Sequence, residues 1–200
     1  MRLSPSALSR RSRPIAVAIV LHALGLLWVV PSNAGTADGA AAAPARECEI
    51  KAAFLYNFTK FVDWPARTFA NDDAPIVIGV FGDSPCAQAL ERLVKDRKVN
   101  GRTIVVRRIA SAEEAKVTQL LFVGSAQEAQ FAGLERALHS LPVLTVGESP
   151  GFASQGGSID FVPQGDKIRF EINIDVAEHA GLKISAQLQK LATVVRRSAT

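Results

Sequence analysis

Four short apolar runs separated by helical segments constrain the fold of this chain most strongly. The runs that predict strands are residues 76–82, 103–109, 120–124 and 143–146. The first and third runs are uninterrupted and end in glycine, which is typical of strands covered on both faces. Helices are predicted from Asp83-Ser84-Pro85 to about Lys95, and over about 126–139. This alternation predicts βαβ units and a mainly parallel sheet between helices.

The pattern changes in the last quarter of the chain. Residues 158–162 and 167–174 alternate apolar with polar side chains, and Pro163-Gln-Gly-Asp166 separates them as a turn. This predicts an antiparallel hairpin at one edge of the sheet. Residues 176–195 are predicted to be helical, with a break at Gly181. The expected fold class is therefore α/β: a single-domain sandwich whose mainly parallel central sheet is flanked by helices.

The N-terminus has the three parts of a secretory signal peptide. Four arginines precede the uncharged apolar run of residues 15–30, and Ser32 and Ala34 are the small residues expected before a cleavage site. A retained membrane anchor is the alternative, but the run is shorter than the roughly 20 residues that span a bilayer. We therefore predict a cleavable signal peptide (1–34), a flexible Ala-rich lead-in (35–47) and one domain (48–197), with no membrane insertion after cleavage.

The net positive charge of the chain comes from the predicted signal peptide. The whole chain has 23 Lys and Arg against 19 Asp and Glu. The first 34 residues contain four arginines and no acidic residue, so the rest of the chain has 19 basic and 19 acidic residues. A nucleic-acid-binding domain needs a basic stripe of its own. None is visible in the sequence, so nucleic acid is excluded as a partner.

The two cysteines, Cys48 and Cys86, become a candidate pair if the protein is exported, because disulfides persist in oxidising compartments. A bond between them would contribute about 4 kcal/mol according to chain-entropy arguments. Two free buried thiols are the alternative, and the sequence leaves both open.

Six of the thirteen aromatic residues lie within positions 54–69. If residues 48–63 form a helix, most of the aromatics fall on one apolar stripe and belong to the core. Tyr56 projects onto the opposite face near Lys60, and Trp64 precedes Pro65, which forces an extended exit from the helix. Exposed Tyr and Trp beside charges are typical of protein contacts. Tyr56, Lys60 and Trp64 are therefore candidate partner-binding residues; the alternative is that a loop or the lead-in covers them.

Catalytic motifs are lacking in the sequence. After residue 34 the only histidines are His139 and His179, with no cysteine or carboxylate at metal-ligand spacing and no H-E-x-x-H or C-x-x-C. The stretch Gly82-Asp-Ser-Pro-Cys86 lacks the second glycine of a nucleophile elbow. We therefore expect no enzyme activity, no metal and no cofactor.

Asp83 and Ser84 are nevertheless a candidate ligand site, because open α/β sheets bind ligands at the carboxyl ends of their strands. A helix N-terminus also offers free backbone donors to an anion. The negative charge of Asp83 opposes an anion, so simple helix capping is the favoured interpretation. Gly147-Glu148 follows another predicted strand and belongs to the same expected edge.

Six short motifs follow one another along the chain. They are Tyr56-Asn-Phe-Thr-Lys-Phe61 with Trp64-Pro65, Gly101-Arg102, Leu144-Thr-Val146, Gly151-Phe152 with Gly156-Gly157, Arg169-Phe-x-Ile-Asn173, and Ala180-Gly-Leu-x-Ile-Ser185 with Leu188, Leu191 and Ala192. Together they resemble the YfiR family (DUF4154) of bacterial periplasmic proteins, and the resemblance spans residues 50–195. Each motif alone has little specificity for the family, and the occurrence of all six in this order makes the match specific.

The resemblance implies a regulator with a compact α/β sandwich fold. The best-studied members of the family hold an inner-membrane diguanylate cyclase inactive by binding its periplasmic domain, which lowers cyclic di-GMP and biofilm output. Members can also form homodimers. A sensor kinase is the alternative membrane partner. The competing function is a periplasmic small-molecule sensor or carrier that binds its ligand at the strand ends.

The family also implies redox regulation through disulfides, and here the chain departs from the family. The family's cysteines fall at positions occupied in this chain by Gly79 and Thr118. Because Cys48 and Cys86 lie elsewhere, redox control by the same bond is not expected.

Overall fold

The apolar runs found in the sequence form the strands of one twisted layer in the computed structural model, which describes residues 37–196. The predicted signal peptide lies outside the described residues. The strands are β1 (Val62–Asp63), β2 (Ile76–Phe81), β3 (Lys98–Val99), β4 (Arg102–Ile109), β5 (Leu120–Val123), β6 (Leu144–Gly147), β7 (Ile159–Gln164), β8 (Lys167–Asn173), β9 (Lys183–Ile184) and β10 (Val194–Arg196). Eight of them form one sheet in the order β10-β8-β7-β6-β5-β2-β4-β3.

Pairing within this sheet is mainly parallel, as the strand–helix alternation predicts. β2 pairs in parallel with β4 on one side and β5 on the other, and the parallel run continues through β6 to β7. The predicted hairpin is present, because β7 and β8 are antiparallel from Ile159–Ile172 to Gln164–Lys167. Since the chain leaves β2 towards β4 and then returns to β5 on its other side, the strand order reverses at β2. Ligands of open α/β sheets bind at such reversals.

Helices cover both faces of the sheet. They are α1 (Ala37–Phe61), α2 (Cys86–Val94), α3 (Ala112–Ala115), α4 (Glu128–Leu138), α5 (Ile174–His179) and α6 (Ala186–Leu191). Alternate residues of β5 enter two separate cores: Leu120 and Phe122 join the α1 and α2 side, whereas Leu121 and Val123 join the α4 side. Burial on both faces explains why the sequence of β5 has no polar alternation.

α1 begins at Ala37, so residues 37–47 are helical rather than the flexible lead-in expected from composition. The physical reason is the run of alanines, because alanine has the highest intrinsic helix propensity. Pro44 lies within this helix. The Ala-rich segment therefore extends α1 beyond the part that packs in the core.

The C-terminal region is less helical than the sequence predicts. Gly181 has a positive φ of 77° and follows the end of α5, as the predicted break requires. Beyond it, only residues 186–191 are helical, and β10 pairs in parallel with β8 from Val194–Glu171 to Arg196–Asn173. The β-branched Val194 favours a strand once β8 offers unpaired backbone groups. β10 therefore lies outside the hairpin at that edge.

A second, two-stranded sheet joins the end of α1 to the C-terminal region. β1 pairs antiparallel with β9, with Val62 opposite Ile184. Residues 37–196 belong to one compact unit. Within this range, no helix is both long enough and apolar enough to cross a membrane.

Candidate functional site

The aromatic residues of α1 form the core against the hairpin. Phe58 is fully buried, and its ring lies 5.2 Å from that of Phe170 and 5.9 Å from that of Phe161, centroid to centroid. Phe54 makes the same pair of contacts at 5.5 and 5.9 Å. Aromatic pairs at such separations are stabilising beyond their buried area. The prediction of a core stripe on α1 is confirmed.

Tyr56 and Lys60 lie together on the outer face of α1. The Lys60 side chain is exposed, and its Nζ atom lies 5.3 Å from the centroid of the Tyr56 ring. Arg97, which follows α2, places its Cζ atom 5.1 Å from the same centroid. Tyr56 is consequently half-buried between two cations rather than freely exposed. Arg97, in the basic segment after α2, provides part of its cover.

Trp64 is also half-buried, and it is held by the sheet rather than by the Tyr56 surface. Its Nε1–H donates to the backbone oxygen of Gln119 over 2.9 Å. Pro65 has φ −59° and ψ 142°, which is the extended exit expected after the helix. The structure therefore brings Tyr56 and Lys60 into contact and fixes Trp64 at the amino end of β5.

Asp83 and Ser84 occupy the turn between β2 and α2. Ser84 is buried, and its Oγ accepts a hydrogen bond from the Cys86 backbone N–H at 3.3 Å. Asp83 is exposed, and its Oδ1 lies 2.5 Å from Nη1 of Arg108. An exposed pair of this kind contributes little to stability. The two side chains thus make local turn and surface contacts, and α2 begins without a side-chain cap hydrogen bond at its N-cap residue, Pro85.

Cys48 and Cys86 are joined by a disulfide, with Sγ atoms 2.10 Å apart and Cα atoms 4.7 Å apart. The bond ties α1 to the first residue of α2. Positions 79 and 118, where the family resemblance places cysteines, are also neighbours: a Cβ on Gly79 would lie 2.9 Å from Cγ2 of Thr118. The only disulfide in this chain is the α1–α2 link, because Cys48 and Cys86 are its only cysteines.

A groove of about 590 Å³ opens at the carboxyl ends of β5 and β6. The amino-terminal half of α1 forms one wall, and the turn of the β7–β8 hairpin forms the other. Ile50, Phe161 and Ile168 contribute apolar surface, while Lys51 and Glu148 contribute charge. Apolar walls with a few fixed polar groups are characteristic of small-molecule sites.

The charged centre of this groove is Lys51. Its Nζ atom lies 2.5 Å from Oε2 of Glu148 and 2.5 Å from Oε1 of Glu47. Glu148 is itself fixed, because its Oε1 accepts a hydrogen bond from the Ser125 backbone N–H at 3.0 Å. Burial lowers the pKa of Lys51, but the hydrogen bonds and charges of Glu148 and Glu47 outweigh burial, so the pKa is raised overall. Lys51 is therefore a buried, charged and doubly paired cation.

Sequence reasoning missed Lys51, although a signal was present. Lys51 precedes Phe54, Leu55 and Phe58 by three, four and seven residues, which places it on the apolar stripe of α1. A cation at such a position must find a partner when the stripe is buried. The sequence places Glu148 at the carboxyl ends of the strands, and the structure shows that Lys51 pairs with it there.

A smaller cavity of about 260 Å³ lies between α4 and α5. The rings of His139 and His179 line it, with their centroids 4.5 Å apart. Glu135 Oε1 lies 2.9 Å from Nδ1 of His139. The fold thus brings together the two histidines that are distant in sequence. Over the part of the chain that the structure describes, no group of three or more potential ligands is arranged to hold a metal ion.

Asp160 of β7 is a buried carboxyl group with one unpartnered oxygen, Oδ1. Burial raises its pKa to about 6, the charge of Glu171 adds to that rise, and hydrogen bonds from the backbone N–H groups of residues 151–153 oppose it. It lies in the sheet rather than in the groove, so we interpret it as a structural group that titrates near neutral pH.

Comparison with known proteins gives matches to solved structures and to one protein family. Two solved structures are among those similar to this chain: an ABC domain from Streptococcus pneumonia in complex with L-Trp (13% identity, TM-score 0.44) and a conserved domain protein from Vibrio cholerae (15% identity, TM-score 0.40). Each match covers 60% of this chain and 55% of the other chain. The search of curated proteins found no significant match. The DUF4154 family, described as YfiR/HmsC-like, matches residues 48–193, and the chain belongs to this family.

Proposed function

We propose that this protein is a periplasmic, non-catalytic regulator of cyclic di-GMP signalling that binds the periplasmic domain of an inner-membrane diguanylate cyclase and holds it inactive. The observation that carries the proposal is the family match across residues 48–193. Export by the predicted signal peptide and cleavage after residue 34 belong to the same proposal. A sensor kinase is the alternative class of membrane partner, and homodimerisation is a further property inferred from the family resemblance.

Repression of this kind requires a difference in affinity. The regulator must bind the inactive form of its partner more tightly than the active form, because equal affinity for both forms would leave the equilibrium between them unchanged. Reducing the active fraction from 99% to 1% takes a preference of about 10⁴-fold. The residues that we propose for this contact are Tyr56 and Lys60 on the outer face of α1 and Trp64 beyond it, of which Lys60 is the most exposed.

Photo-crosslinking in living cells tests the partner and the surface together. A crosslinking residue at Lys60 probes the proposed surface, and one at Val194 probes the exposed edge at β10. Arg107, exposed on β4 at the opposite end of the sheet, is the control position. Capture of an inner-membrane cyclase from position 60 but not from 107 would support the proposal. Capture only from position 194 would indicate that the interface lies at the β10 edge instead. Capture from no position, with the protein present in the periplasm, would count against a stable membrane partner.

Cyclic di-GMP measurements test the direction of the effect. Deleting the gene should raise cyclic di-GMP, and the wild-type protein should lower it again. Lys60→Glu should complement poorly, because it reverses a charge on the proposed surface, whereas the matched Arg107→Glu should complement fully. Equal complementation by both variants would exclude Lys60 from the interface.

A ligand sensor remains the second candidate function, and the groove at the ends of β5 and β6 is the observation that favours it. A bound ligand would raise the melting temperature by mass action. A thermal-shift screen with amino acids, short peptides and nucleotides, repeated with Ile168→Arg to obstruct the groove wall, tests this candidate. A stabilising compound that loses its effect in the variant would establish the groove as its site; a compound that stabilises both proteins equally binds elsewhere.

A further inference from the structure

We propose that the concavity between α1 and α2 is a binding site for a phosphate-bearing anion. The concavity has a volume of about 340 Å³ and lies on the face of α1 that carries Glu49 and Ala52. Three cationic side chains line it: Arg92 in the last turn of α2, and Lys95 and Arg97 just beyond it. Glu49 is the one carboxylate among its lining residues.

The three cations of this concavity outnumber its single lining carboxylate, Glu49. Within the described residues, the ion pairs involve none of Arg92, Lys95, Arg97 and Glu49. A cation near the carboxyl end of a helix is favoured by the helix dipole, which accounts for Arg92 alone. Lys95 and Arg97 lie beyond the helix, and their convergence with Arg92 leaves a local excess of positive charge that an anion would compensate.

The backbone and a neighbouring ring position the cations. Asp96 adopts a left-handed conformation, with φ 60°, between Lys95 and Arg97. Aspartate tolerates this conformation better than most residues, and the reversal lets residues on both sides of Asp96 line the same concavity. Arg97 is further restrained by its contact with the Tyr56 ring at 5.1 Å. A restrained guanidinium loses less side-chain entropy when it binds an anion.

Arginine chemistry favours phosphate over other anions in this setting. The planar guanidinium matches two phosphate oxygens with two parallel N–H donors, and a lysine adds a point charge. Two arginines and one lysine around a small concavity supply this combination. A free phosphate group and the head group of an anionic phospholipid present the same chemistry, so the test separates these two sources.

Tyr56 provides a direct reporter, because it is the only tyrosine in the chain. Protein labelled with ring-¹³C tyrosine gives one set of ring signals, which we would follow by NMR during titration with sodium phosphate and, in parallel, with sodium chloride at equal ionic strength. We expect a saturable shift with phosphate and none with chloride. Arg92→Gln and Lys95→Gln should each weaken binding about tenfold, the loss expected for one charge-assisted hydrogen bond. The matched Arg107→Gln, which removes an exposed arginine from β4, should bind phosphate like the wild type.

Vesicle sedimentation shows whether the bound phosphate group belongs to a lipid head group or to a soluble compound. Binding to phosphatidylglycerol vesicles but not to phosphatidylcholine vesicles, lost in Arg92→Gln and reversed by inorganic phosphate, would assign the site to lipid head groups. Saturable phosphate binding without vesicle binding would assign it to a soluble phosphate compound. Coincident phosphate and chloride titrations, together with no preference for anionic vesicles, would overturn the proposal. Equal weakening by Arg92→Gln and Arg107→Gln would also overturn it, since that result indicates general charge screening.

Discussion

The indole N–H of Trp64 donates to the backbone oxygen of Gln119 over 2.9 Å, across 55 residues of sequence. Gln119 is buried, and the same oxygen accepts the backbone N–H of Leu144 at 2.9 Å. Its side-chain Oε1 accepts the N–H of Val77 at 2.7 Å. One buried glutamine therefore connects β2 and β6 with the segment that follows β1. The Trp64-Pro65 pair has a structural role that its position in the sequence does not reveal.

Replacing Trp64 by Phe should separate this structural role from partner binding. The variant keeps an aromatic ring but loses the hydrogen bond to Gln119, so the free energy of unfolding should fall by about 1 kcal/mol. Urea unfolding measures this loss, and cyclic di-GMP in cells measures repression. If Trp64 acts only through stability, repression should persist at permissive temperature. Loss of repression in a stably folded Trp64→Phe protein would instead place the indole in the interface.

The Cys48–Cys86 disulfide should contribute to stability. Replacing both cysteines by serine should lower the free energy of unfolding by about 2–4 kcal/mol, because the bond restricts the unfolded chain. Urea unfolding with and without dithiothreitol provides the comparison. The reductant should destabilise the wild type towards the variant and leave the variant unchanged. An effect of dithiothreitol on the cysteine-free variant would show that another process is being measured.

The Lys51–Glu148 pair should stabilise the fold up to high pH. The pKa of Lys51 in the folded protein is raised above 10.5. The contribution of Lys51 to the free energy of unfolding is therefore complete below pH 10.5 and is lost as the pH rises through the pKa of the folded state. At pH 8, Lys51→Met should cost about 2 kcal/mol, since it leaves the poorly exposed Glu148 unpaired. The difference in melting temperature between wild type and variant should shrink above pH 10.5.

Lys116 provides a matched control for Lys51, because its Nζ also lies 2.5 Å from a carboxylate, that of Glu113, but both side chains are more exposed. Lys116→Met should cost less than about 0.5 kcal/mol. Adding Glu148→Gln to Lys51→Met should recover part of the loss, as expected for coupled residues. Equal costs for the two lysine variants would show that burial of the Lys51 pair has no energetic consequence.

Asp160 should make the protein less stable as pH rises. Its pKa is about 6 in the folded state against an ordinary value of 3.8, so the folded state binds more protons than the unfolded state between these values. Stability should fall as the pH rises from about 4 to 6, by about 3 kcal/mol at most, and then remain at the lower value. Asp160→Asn should therefore be more stable than the wild type at pH 8 and similar to it at pH 3.5.

Thermal unfolding across this pH range measures the effect of Asp160, with Asp166→Asn on the exposed hairpin turn as the control. The control should reproduce the pH profile of the wild type. A wild-type profile that persists in Asp160→Asn would assign the pH dependence to other groups. Destabilisation of Asp160→Asn at every pH would show that its backbone hydrogen bonds require the carboxylate.

The sequence by itself determined the sheet and its core. Short continuous apolar runs such as Leu120–Val123 indicate strands covered on both faces, and the spacing of Phe54 and Phe58 indicates one apolar helix face. These are local patterns, an apolar run of strand length and a helical repeat of about 3.6 residues, which depend only on neighbouring residues of the chain. The hairpin and the break at Gly181 were equally local, because turn residues carry their own conformational preferences.

Only the tertiary structure decided which distant residues meet. The contacts of Lys51 with Glu148 and of Trp64 with Gln119, and the ring contact of His139 with His179, depend on how the strands are ordered. The strand at Val194–Arg196 was missed because its pairing partner is β8, and helical spacing before it suggested a helix. Side-chain periodicity reports which face of an element is buried. It contains no information about the element that covers that face, and the candidate sites of this protein are built from such pairs.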